Sequence, residues 1–430
     1  MKKIFSKVVS ALLVSSIVLA GCASSDEGES GAKSDSQITI NIFQGKVEFK
    51  DQFESLAQRY EEENPDVNIN ITTVGGGSDY FSSLRSQFSA GDDPEIFSLS
   101  GPSEAAVYQE YLTDLSDTAA AAAALEGSLS AMSDEDNVYG LPFNQEGYGF
   151  IYNKKIFEQA GINPDEILSY NDLEKAVKTI DSKKEELGIE AVFALAANEK
   201  WVIGSHLANV YLAPEFNHDV LETFDAETVG FEKDSELQRM LDLQNDYSIQ
   251  PSLSLDYSQQ VEQYFSLERV AMIQQGNWIY PSVYEMDPEF AENNIGILPI
   301  PVEGFEGSLP VGIPNYWVVN NNKDEEVIQA SKDFLDWMYT SEVGKEAVLN
   351  DFKFIPAYEG YDTSQIADPL SQKIYEYASE GNTIGWVFLG YPTGPWGDVL
   401  GANMQKYLDG QMTWEDVVTE SRSEWERIRK

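Results

Sequence analysis

Runs of alternating hydrophobic and polar residues are interleaved with runs of helical periodicity near the N-terminal end of the chain. Residues 38–43 and 67–71 alternate as β-strands, and the apolar stretch 95–100 predicts a third strand. Between them, apolar residues in 49–60 and 80–90 recur at the spacing of amphipathic helices. Because strands that alternate with helices form a largely parallel sheet, this region is predicted to be an α/β domain.

A second series of strands and helices follows residue 145. Its predicted strands are 148–152, 191–197, 270–273, 295–298 and 316–319. Amphipathic helices fill most of the remaining chain, so the sequence predicts two α/β lobes. Ligands of such sheets lie beyond the carboxyl ends of the strands. In the first lobe those ends are 44–46, 74–79 and 100–103.

The N-terminal segment has the pattern of an export signal. Residues 8–20 are apolar and follow three lysines, and the stretch is too short for a comfortable membrane span. It ends in Leu19-Ala20-Gly21-Cys22, which resembles the lipobox of bacterial lipoproteins. That resemblance implies a signal peptide at 1–21 and a lipid-modified Cys22 as the first mature residue. The polar stretch 22–36 then predicts a flexible, charged tether.

Composition narrows the classes of function. The 430 residues carry 28 Lys and Arg against 73 Asp and Glu, a net charge of -45. Such acidity argues against nucleic acid as a partner and against adsorption to an anionic membrane. The single cysteine excludes an internal disulfide and a multi-thiolate metal site, and two histidines leave little for a metal centre. We therefore expect no cofactor and no metal.

Three known catalytic or cofactor-binding motifs are matched only in part by the sequence. Gly147-Tyr148-Gly149 opens like a dinucleotide loop but lacks the third glycine, and 101–105 resembles a nucleophile elbow without its final glycine. His206 and His218 lack the spacing of a zinc hydrolase. His206 is either a packed histidine or a hydrogen-bonding partner of a ligand. The sequence predicts that the protein is not an enzyme.

Several segments together resemble a known family. With the lipobox, they are 60–67, 91–97, 139–143, 152–162, 169–173, 271–278, 298–301, 329–339 and 408–415. In this order they are similar to bacterial extracellular solute-binding proteins of family 1, the sugar-binding lipoproteins of ABC importers of the maltodextrin and multiple-sugar type. The resemblance extends along nearly the whole mature chain.

The resemblance implies a two-lobed periplasmic-binding-protein fold of type II, with a ligand cleft between two discontinuous α/β domains. Lobe one is expected to be 37–145 plus 275–313, and lobe two 146–274 plus 314–430. The lobes would be joined by hinge crossovers at 144–147, 274–278 and 309–315, and would close on the ligand.

The resemblance also implies partners and a location. The protein would capture a carbohydrate, a di- or oligosaccharide, by hinge closure and deliver it to the permease subunits of an ABC transporter. It would be a monomer, held through Cys22 on the extracellular face of the cytoplasmic membrane, which is the periplasmic side where a bacterium has two membranes.

A sugar site needs flat aromatic rings for the apolar face of a pyranose and carboxylates or amides for its hydroxyl rim. The resemblance implies that Trp278, Trp396 and Trp201 stack on sugar, with a core position as the alternative for each. It also implies that Glu146 accepts hydroxyl protons, with a buried structural salt bridge as the alternative. The further polar candidates, chosen from strand and loop ends, are Gln44, Ser100, Tyr80 and Asp398.

Two other functions compete with the solute receptor. A surface-anchored carbohydrate-active hydrolase would need two carboxylates at fixed separation beside one bond. The other competing hypothesis is a surface adhesin or a sensor-associated binding protein. The segment 100–103 reads Ser-Gly-Pro-Ser where maltodextrin-binding proteins place acidic and basic residues, which argues against a maltodextrin as the ligand.

Overall fold

The computed structural model describes residues 37–74, 80–134, 137–392 and 396–430. The predicted signal peptide 1–21, the predicted lipidation site Cys22 and the predicted tether 22–36 lie outside these ranges. Within them, no helix has both the length and the apolar character that crossing a membrane requires.

The described chain contains strands and helices in the following order. The strands are β1 Ile38–Gln44, β2 Val67–Thr73, β3 Ile96–Leu99, β4 Leu141–Pro142, β5 Glu146–Asn153, β6 Ala191–Phe193, β7 Val270–Gly276, β8 Ile295–Leu298, β9 Leu309–Gly312, β10 Tyr316–Val319 and β11 Thr383–Ile384. The α-helices are α1 Lys50–Glu63, α2 Tyr80–Ala90, α3 Pro102–Tyr108, α4 Ala119–Ala123, α5 Lys154–Ala160, α6 Tyr170–Ser182, α7 Lys184–Leu187, α8 Ala208–Leu212, α9 Val220–Asp225, α10 Asp234–Asp246, α11 Tyr280–Met286, α12 Pro288–Asn293, α13 Glu325–Thr340, α14 Glu342–Glu346, α15 Pro369–Glu380, α16 Trp396–Leu408 and α17 Trp414–Arg429. Three π-helical segments are Trp201–Leu207, Gln259–Phe265 and Ala347–Asp351.

The first lobe is built on a five-stranded sheet in the order β2-β1-β3-β10-β4. Strand β1 is parallel to β2 and β3, with Ile42 opposite Ile71 on one side and Ile96 on the other. Strand β10 runs antiparallel to β3 and β4. Helices α1 and α13 cover one face of this sheet with buried apolar residues such as Phe53 and Phe334. The apolar positions that recur at helical spacing in the sequence are therefore the positions that these helices bury against the sheet.

The second lobe is built on a sheet in the order β11-β9-β5-β7-β6, with β8 also paired to β5. All eight residues of β5 are buried. This strand is antiparallel to β7, β8 and β9, so that Tyr148 lies opposite Gly276 and Phe150 opposite Leu298. Helices pack on both faces of the sheet and complete the largest hydrophobic core of the described residues. The prediction of two α/β lobes is confirmed.

The distribution of segments between the lobes differs from the prediction. Strands β8 and β9, within the predicted lobe-one segment 275–313, pair with β5 in the second sheet. Strand β10 and helix α13, within the predicted lobe-two segment 314–430, belong to the first sheet and its core. The cause is that β8 and β9, which follow β7 in the chain, both pair with the edge of β5 opposite to β7. For these strands and this helix the predicted boundaries are wrong.

Two of the three predicted crossovers connect the sheets. Segment 144–147 joins β4 to β5, and segment 309–315 carries β9 into β10. Segment 274–278 instead leads through α11 and α12 to β8 within the second lobe. The remaining connection lies near Ile355, whose carbonyl accepts a 2.8 Å hydrogen bond from the Gln145 amide. Two crossing segments are thus bonded to each other as a short ladder.

A close helix contact in the second lobe gives a test of this packing. The segment Trp201–Leu207 lies against α16 so closely that a β-carbon on Gly204 would come within 2.1 Å of the Gly397 carbonyl oxygen and 2.5 Å of the Gly401 amide nitrogen. We expect Gly204→Ala to lower the free energy of unfolding by about 1–3 kcal/mol, because backbone on both sides must shift. Lys200→Ala, at an exposed neighbouring position, is the control. Equal thermal unfolding of the two variants would contradict the packing.

Candidate functional site

Five aromatic rings surround the His206 imidazole, and the six side chains come from four separate segments of the second lobe. They form what we call the aromatic cluster: Tyr148, Trp201, His206, Trp278, Trp386 and Phe388. The Tyr148 ring stacks on His206 with ring centres 4.4 Å apart and planes 10° from parallel. The other four ring centres lie 5.0 to 5.9 Å from that of His206. The cluster therefore presents flat apolar faces of several orientations in one place.

Trp278 is positioned by a glycine and a chain of buried amides. A β-carbon on Gly276 would lie 2.2 Å from the Trp278 ring and 2.4 Å from the Gly147 carbonyl oxygen, so only glycine lets the indole fold back over the strand. The indole N–H donates to Gln275 Oε1 at 2.9 Å. Gln275 in turn donates to the Gln260 side chain at 2.6 Å. The predicted stacking residue is thus a half-buried side chain with a fixed orientation, held within the cluster.

Trp201 and His206 are brought together by an unusual helix. They begin and nearly end the π-helical segment Trp201–Leu207. Residues five apart are neighbours in a π-helix, and their ring centres are 5.0 Å apart. Glu199 holds the entry to this segment, because its carboxylate accepts from the Trp201 indole N–H and from the Tyr257 backbone amide, both at 3.2 Å. The structure brings Trp201 and Trp278 together, as the prediction of a shared aromatic site requires.

His206 is a neutral hydrogen-bonding group in this environment. Burial lowers the pKa of its imidazole from 6.5 to about 3, so the ring carries one N–H donor and one acceptor nitrogen at physiological pH. No hydrogen bond joins either ring nitrogen to another described residue. The Trp386 indole N–H is also buried without a partner among the described side chains and backbone. Hydrogen-bond donors and an acceptor without a partner in the described part of the chain therefore lie beside the aromatic faces.

Glu146 forms a buried ion pair between the crossing segment and the first lobe. Its carboxylate bonds the Lys46 ammonium, and the two side chains are only 5% and 11% exposed. Asn144 Nδ2 also donates to Glu146 Oε1 at 3.3 Å. This is the arrangement that the alternative interpretation of Glu146 described. Glu146 and Trp278 nevertheless line the same narrow cavity of about 10 Å³, so the pair lies beside the cluster.

Gln44 and Tyr80 use their polar groups inside the first lobe. Gln44 is fully buried, with its amide donating to Thr73 Oγ1 at 2.7 Å and accepting from the Lys46 amide. The Tyr80 hydroxyl lies 3.1 Å from the Phe43 carbonyl oxygen and 3.0 Å from the Ser98 backbone nitrogen and oxygen. Burial also raises the pKa of Tyr80 and keeps it protonated. The structure contradicts the prediction that these polar groups face a ligand.

Trp396 belongs to the core. Its side chain is 1% exposed, its indole N–H donates to the Ser421 carbonyl at 2.7 Å, and its ring packs edge-on against Tyr391 and Trp425. The prediction that it faces the cleft is wrong, because the C-terminal helix α17 supplies the core partners that the preceding loop lacks. Trp386, ten residues earlier, lies in the aromatic cluster instead.

Ser100 and Asp398 stay predictions. Ser100 is half-buried at the end of β3, and Asp398 is exposed in the first turn of α16. Neither makes a described contact with the aromatic cluster.

The two lobes meet directly at one end of the cleft. Ser103, in the first turn of α3, donates its hydroxyl to the Tyr391 carbonyl at 2.5 Å, and both residues are buried. A β-carbon on Gly101 would touch Leu389 at 3.2 Å. We call this contact the lobe bridge and define it by residues 101–104 and 389–391. It restricts that end of the cleft.

Sequence reasoning missed several of these groups. Trp386 and Phe388 follow a two-residue strand that no periodicity reveals, and Glu199 was one carboxylate among many. Glu104 lies in the lobe bridge, and its Oε2 is buried without a hydrogen-bond partner among the described residues. Burial raises the pKa of this carboxyl from 4.5 to about 7. The run of catalytic-looking residues at 101–105 gave a signal for this turn, although not for its role.

Two α/β lobes that are joined by crossing segments, with an aromatic and polar site between their strand ends, define a two-lobed binding protein. The model of the bacterial extracellular solute-binding protein family matches residues 46–345. The chain belongs to this family, as the sequence resemblance indicated. Its members are solute-binding proteins and act outside the cell.

Individual relatives agree with this assignment. The chain is 25% identical to the melibiose/raffinose/stachyose-binding protein of Bacillus subtilis (strain 168), over 100% of this chain and 97% of the relative. It is 21% identical to the multiple sugar-binding protein of Streptococcus mutans serotype c (strain ATCC 700610 / UA159), over 76% of each. A solved chitin oligosaccharide binding protein superposes with a TM-score of 0.76 at 22% identity, over 91% of this chain and 99% of that one. The last comparison supports the two-lobed fold.

Glu104 gives a pH-dependent test of the lobe bridge. Because its folded-state pKa is raised, protonated Glu104 stabilises the fold at acidic pH, and this stability is lost as the pH rises from about 4.5 through about 7. We expect Glu104→Gln to match the wild type below pH 4.5 and to exceed its free energy of unfolding by roughly 2 kcal/mol at pH 8.

The measurement is thermal and urea unfolding of both proteins at several pH values. Glu110→Gln, at an exposed position that follows α3, is the control and should show no such difference. A stability difference between Glu104→Gln and wild type that is constant over pH would contradict a buried, neutral Glu104.

Proposed function

We propose that this protein captures an uncharged di- or oligosaccharide at the aromatic cluster and delivers it to the permease of an ABC importer. The observation that carries the proposal is the cluster itself, in which the half-buried rings of Trp201, Trp278 and Phe388 adjoin the neutral His206 imidazole and the Trp386 indole N–H, which has no partner among the described residues. A pyranose has an apolar C–H face and a rim of hydroxyls, so it needs both kinds of surface at once. Few other small solutes combine the two.

The charges around the cluster support an uncharged ligand. The six side chains of the cluster carry no charge, since His206 is neutral, and the neighbouring Lys46 is already paired with Glu146. Burying an anionic solute against the cluster without a countercharge would be costly. The Glu199 carboxylate, which already bonds the Trp201 indole N–H, has further acceptor capacity for a hydroxyl. The Bacillus subtilis relative is named for melibiose, raffinose and stachyose, which are uncharged galactosides.

Binding rather than hydrolysis is the activity that the family supports. A hydrolase needs one carboxylic acid and one free carboxylate on either side of a bond. Glu146, the carboxylate predicted for the site, is held by Lys46, and Glu199 is held by an indole and a backbone amide. A sugar that contacts both lobes would close them, because only a ligand with greater affinity for the closed state shifts the equilibrium toward it.

Anchoring through Cys22 is the second part of the proposal. The lipobox sequence Leu19-Ala20-Gly21-Cys22 supports a diacylated N-terminus, and two or more acyl chains give stable membrane attachment. The extracellular character of the family agrees with export. The receptor would work as a monomer at the outer face of the cytoplasmic membrane, beside its permease.

Calorimetric titration with raffinose tests the binding site. We expect Trp278→Ala to weaken affinity by 2 to 4 kcal/mol, about 30-fold to 1,000-fold in the dissociation constant, because the variant loses a central aromatic anchor. Trp337→Ala is the control, because Trp337 is also half-buried but lies in the first lobe, bonded to Glu63. It should leave the affinity within about twofold.

Two results would count against this site and function. If Trp278→Ala and Trp337→Ala bind raffinose equally well, the cluster is not the site. If chromatography after incubation with the wild type detects shorter saccharides, the protein is a hydrolase and not only a receptor.

Membrane attachment is tested separately. We expect Cys22→Ala to abolish lipid labelling and to release the protein from membranes or leave its signal segment uncleaved, since acylation requires the thiol. Fractionation and labelling with a fatty-acid analogue measure this outcome, and a Ser24→Ala variant is the control. A Cys22→Ala protein that is cleaved and still membrane-bound would refute the lipid anchor.

A further inference from the structure

A second cavity lies between the lobes, outside the aromatic cluster. It is a groove of about 720 Å³, within the usual range for ligand pockets. The first lobe contributes Val47, Phe49 to Gln52 and Asp351 to Lys353, and the second lobe contributes residues of α11. We call it the outer groove.

A narrow cavity, which we call the neck, adjoins the outer groove. Glu146 and Trp278 line the neck, which measures only about 10 Å³. The walls that it shares with the outer groove are Phe49, Tyr280, Pro281, Phe352 and Lys353. Trp278 is the member of the aromatic cluster that lines the neck, so this side chain lies between the cluster and the outer groove.

The walls of the neck come from both lobes. Phe49 and Phe352 belong to the first-lobe core, whereas Tyr280 belongs to the core of the second. Any rotation of one lobe against the other changes the distance between these walls. The width of the neck therefore depends on the angle between the lobes.

The lobes are in direct contact at the lobe bridge. Ser103 and Tyr391 are hydrogen-bonded there, and Gly101 packs against Leu389. The outer groove, in contrast, leaves an open volume between the lobes.

The outer groove has the chemical character of a saccharide subsite. Tyr280 and Tyr284 lie with ring centres 5.8 Å apart and planes 32° from parallel, and Tyr284 is 40% exposed. Val47 on the facing lobe is 47% exposed. Around these apolar surfaces the lining includes the hydrogen-bonding side chains of Gln52, Ser282 and Glu285. Aromatic faces with a polar rim match the two surfaces of a sugar ring.

We propose that the outer groove is a second carbohydrate subsite, which holds the sugar units of an oligosaccharide that extend past the aromatic cluster. This inference rests on the proposed function. Its consequence is that affinity depends on chain length. A disaccharide fills the cluster alone, whereas a tetrasaccharide also gains contacts with Tyr284.

The experiment is calorimetric titration with melibiose, raffinose and stachyose, a disaccharide, a trisaccharide and a tetrasaccharide of one chemical series. We expect the wild type to bind stachyose about tenfold more tightly than melibiose, as one added aromatic contact allows. Tyr284→Ala should lose this tenfold advantage for stachyose and bind melibiose within twofold of the wild type. Because Tyr284 is partly exposed, the variant should fold normally.

Leu267→Ala is the matched control, since Leu267 is an apolar residue of the same lobe with 55% exposure and no place in the outer groove. It should leave the whole series unchanged. If Tyr284→Ala weakens all three sugars equally, or none of them, the subsite proposal is overturned while the receptor function stands. If the wild type binds no member of the series, the proposed ligand class fails, and the subsite proposal fails with it.

Discussion

The position of strand β5 is the constraint on which the rest of the structure depends. It leaves the crossing segment at Glu146, passes beneath the aromatic cluster at Tyr148 and accepts three antiparallel partners along its length. Its glycines make this possible, since a β-carbon on Gly149 would come within 2.4 Å of the Leu298 carbonyl oxygen. With every residue buried and both edges hydrogen-bonded, the strand has little freedom to move. The ion pair with Lys46 and the stack of Tyr148 on His206 are therefore fixed by one rigid element.

Most strands and helices of the first lobe can be predicted from the sequence, because each depends on the periodicity and the capping residues of its own segment. Strands β1, β2 and β3 and helices α1 and α2 follow the periodicity of their own residues, and α6 begins at a capping box that Ser169 and Asp172 complete. The family resemblance indicated Trp201 and Trp278 as site residues, and the structure places both in the aromatic cluster, where their sugar-binding role stays a prediction. The allocation of β8, β9 and β10 was not readable. Which strand pairs with which depends on edges that are distant in sequence, and the periodicity of a strand does not specify its neighbour.

The site shows the same division between local and distant causes. Trp396 and Trp386 are ten residues apart in a region rich in glycine and aromatic residues, and no local pattern distinguishes the one that faces the site. Helix α17 decides the matter, because Ser421 and Trp425 lie where they bond and enclose Trp396. Burying that indole against a helix at the end of the chain leaves Trp386 to cover His206. A side chain in a loop is thus assigned to core or cleft by whichever distant surface buries more of it.

The negative net charge of the chain and the neutrality of the aromatic cluster both disfavour an anionic ligand. A net charge of -45 repels anions before they reach the cleft, although screening limits this effect to about 8 Å at physiological ionic strength. Inside the cleft, where screening is weaker, Lys46 is neutralised by Glu146 and the pKa of His206 is too low for the ring to be charged. An anion therefore gains no ion pair from Lys46 or His206. An uncharged ligand with an apolar face needs no such ion pair, so the burial of His206 and the pairing of Lys46 both favour an uncharged ligand over an anion.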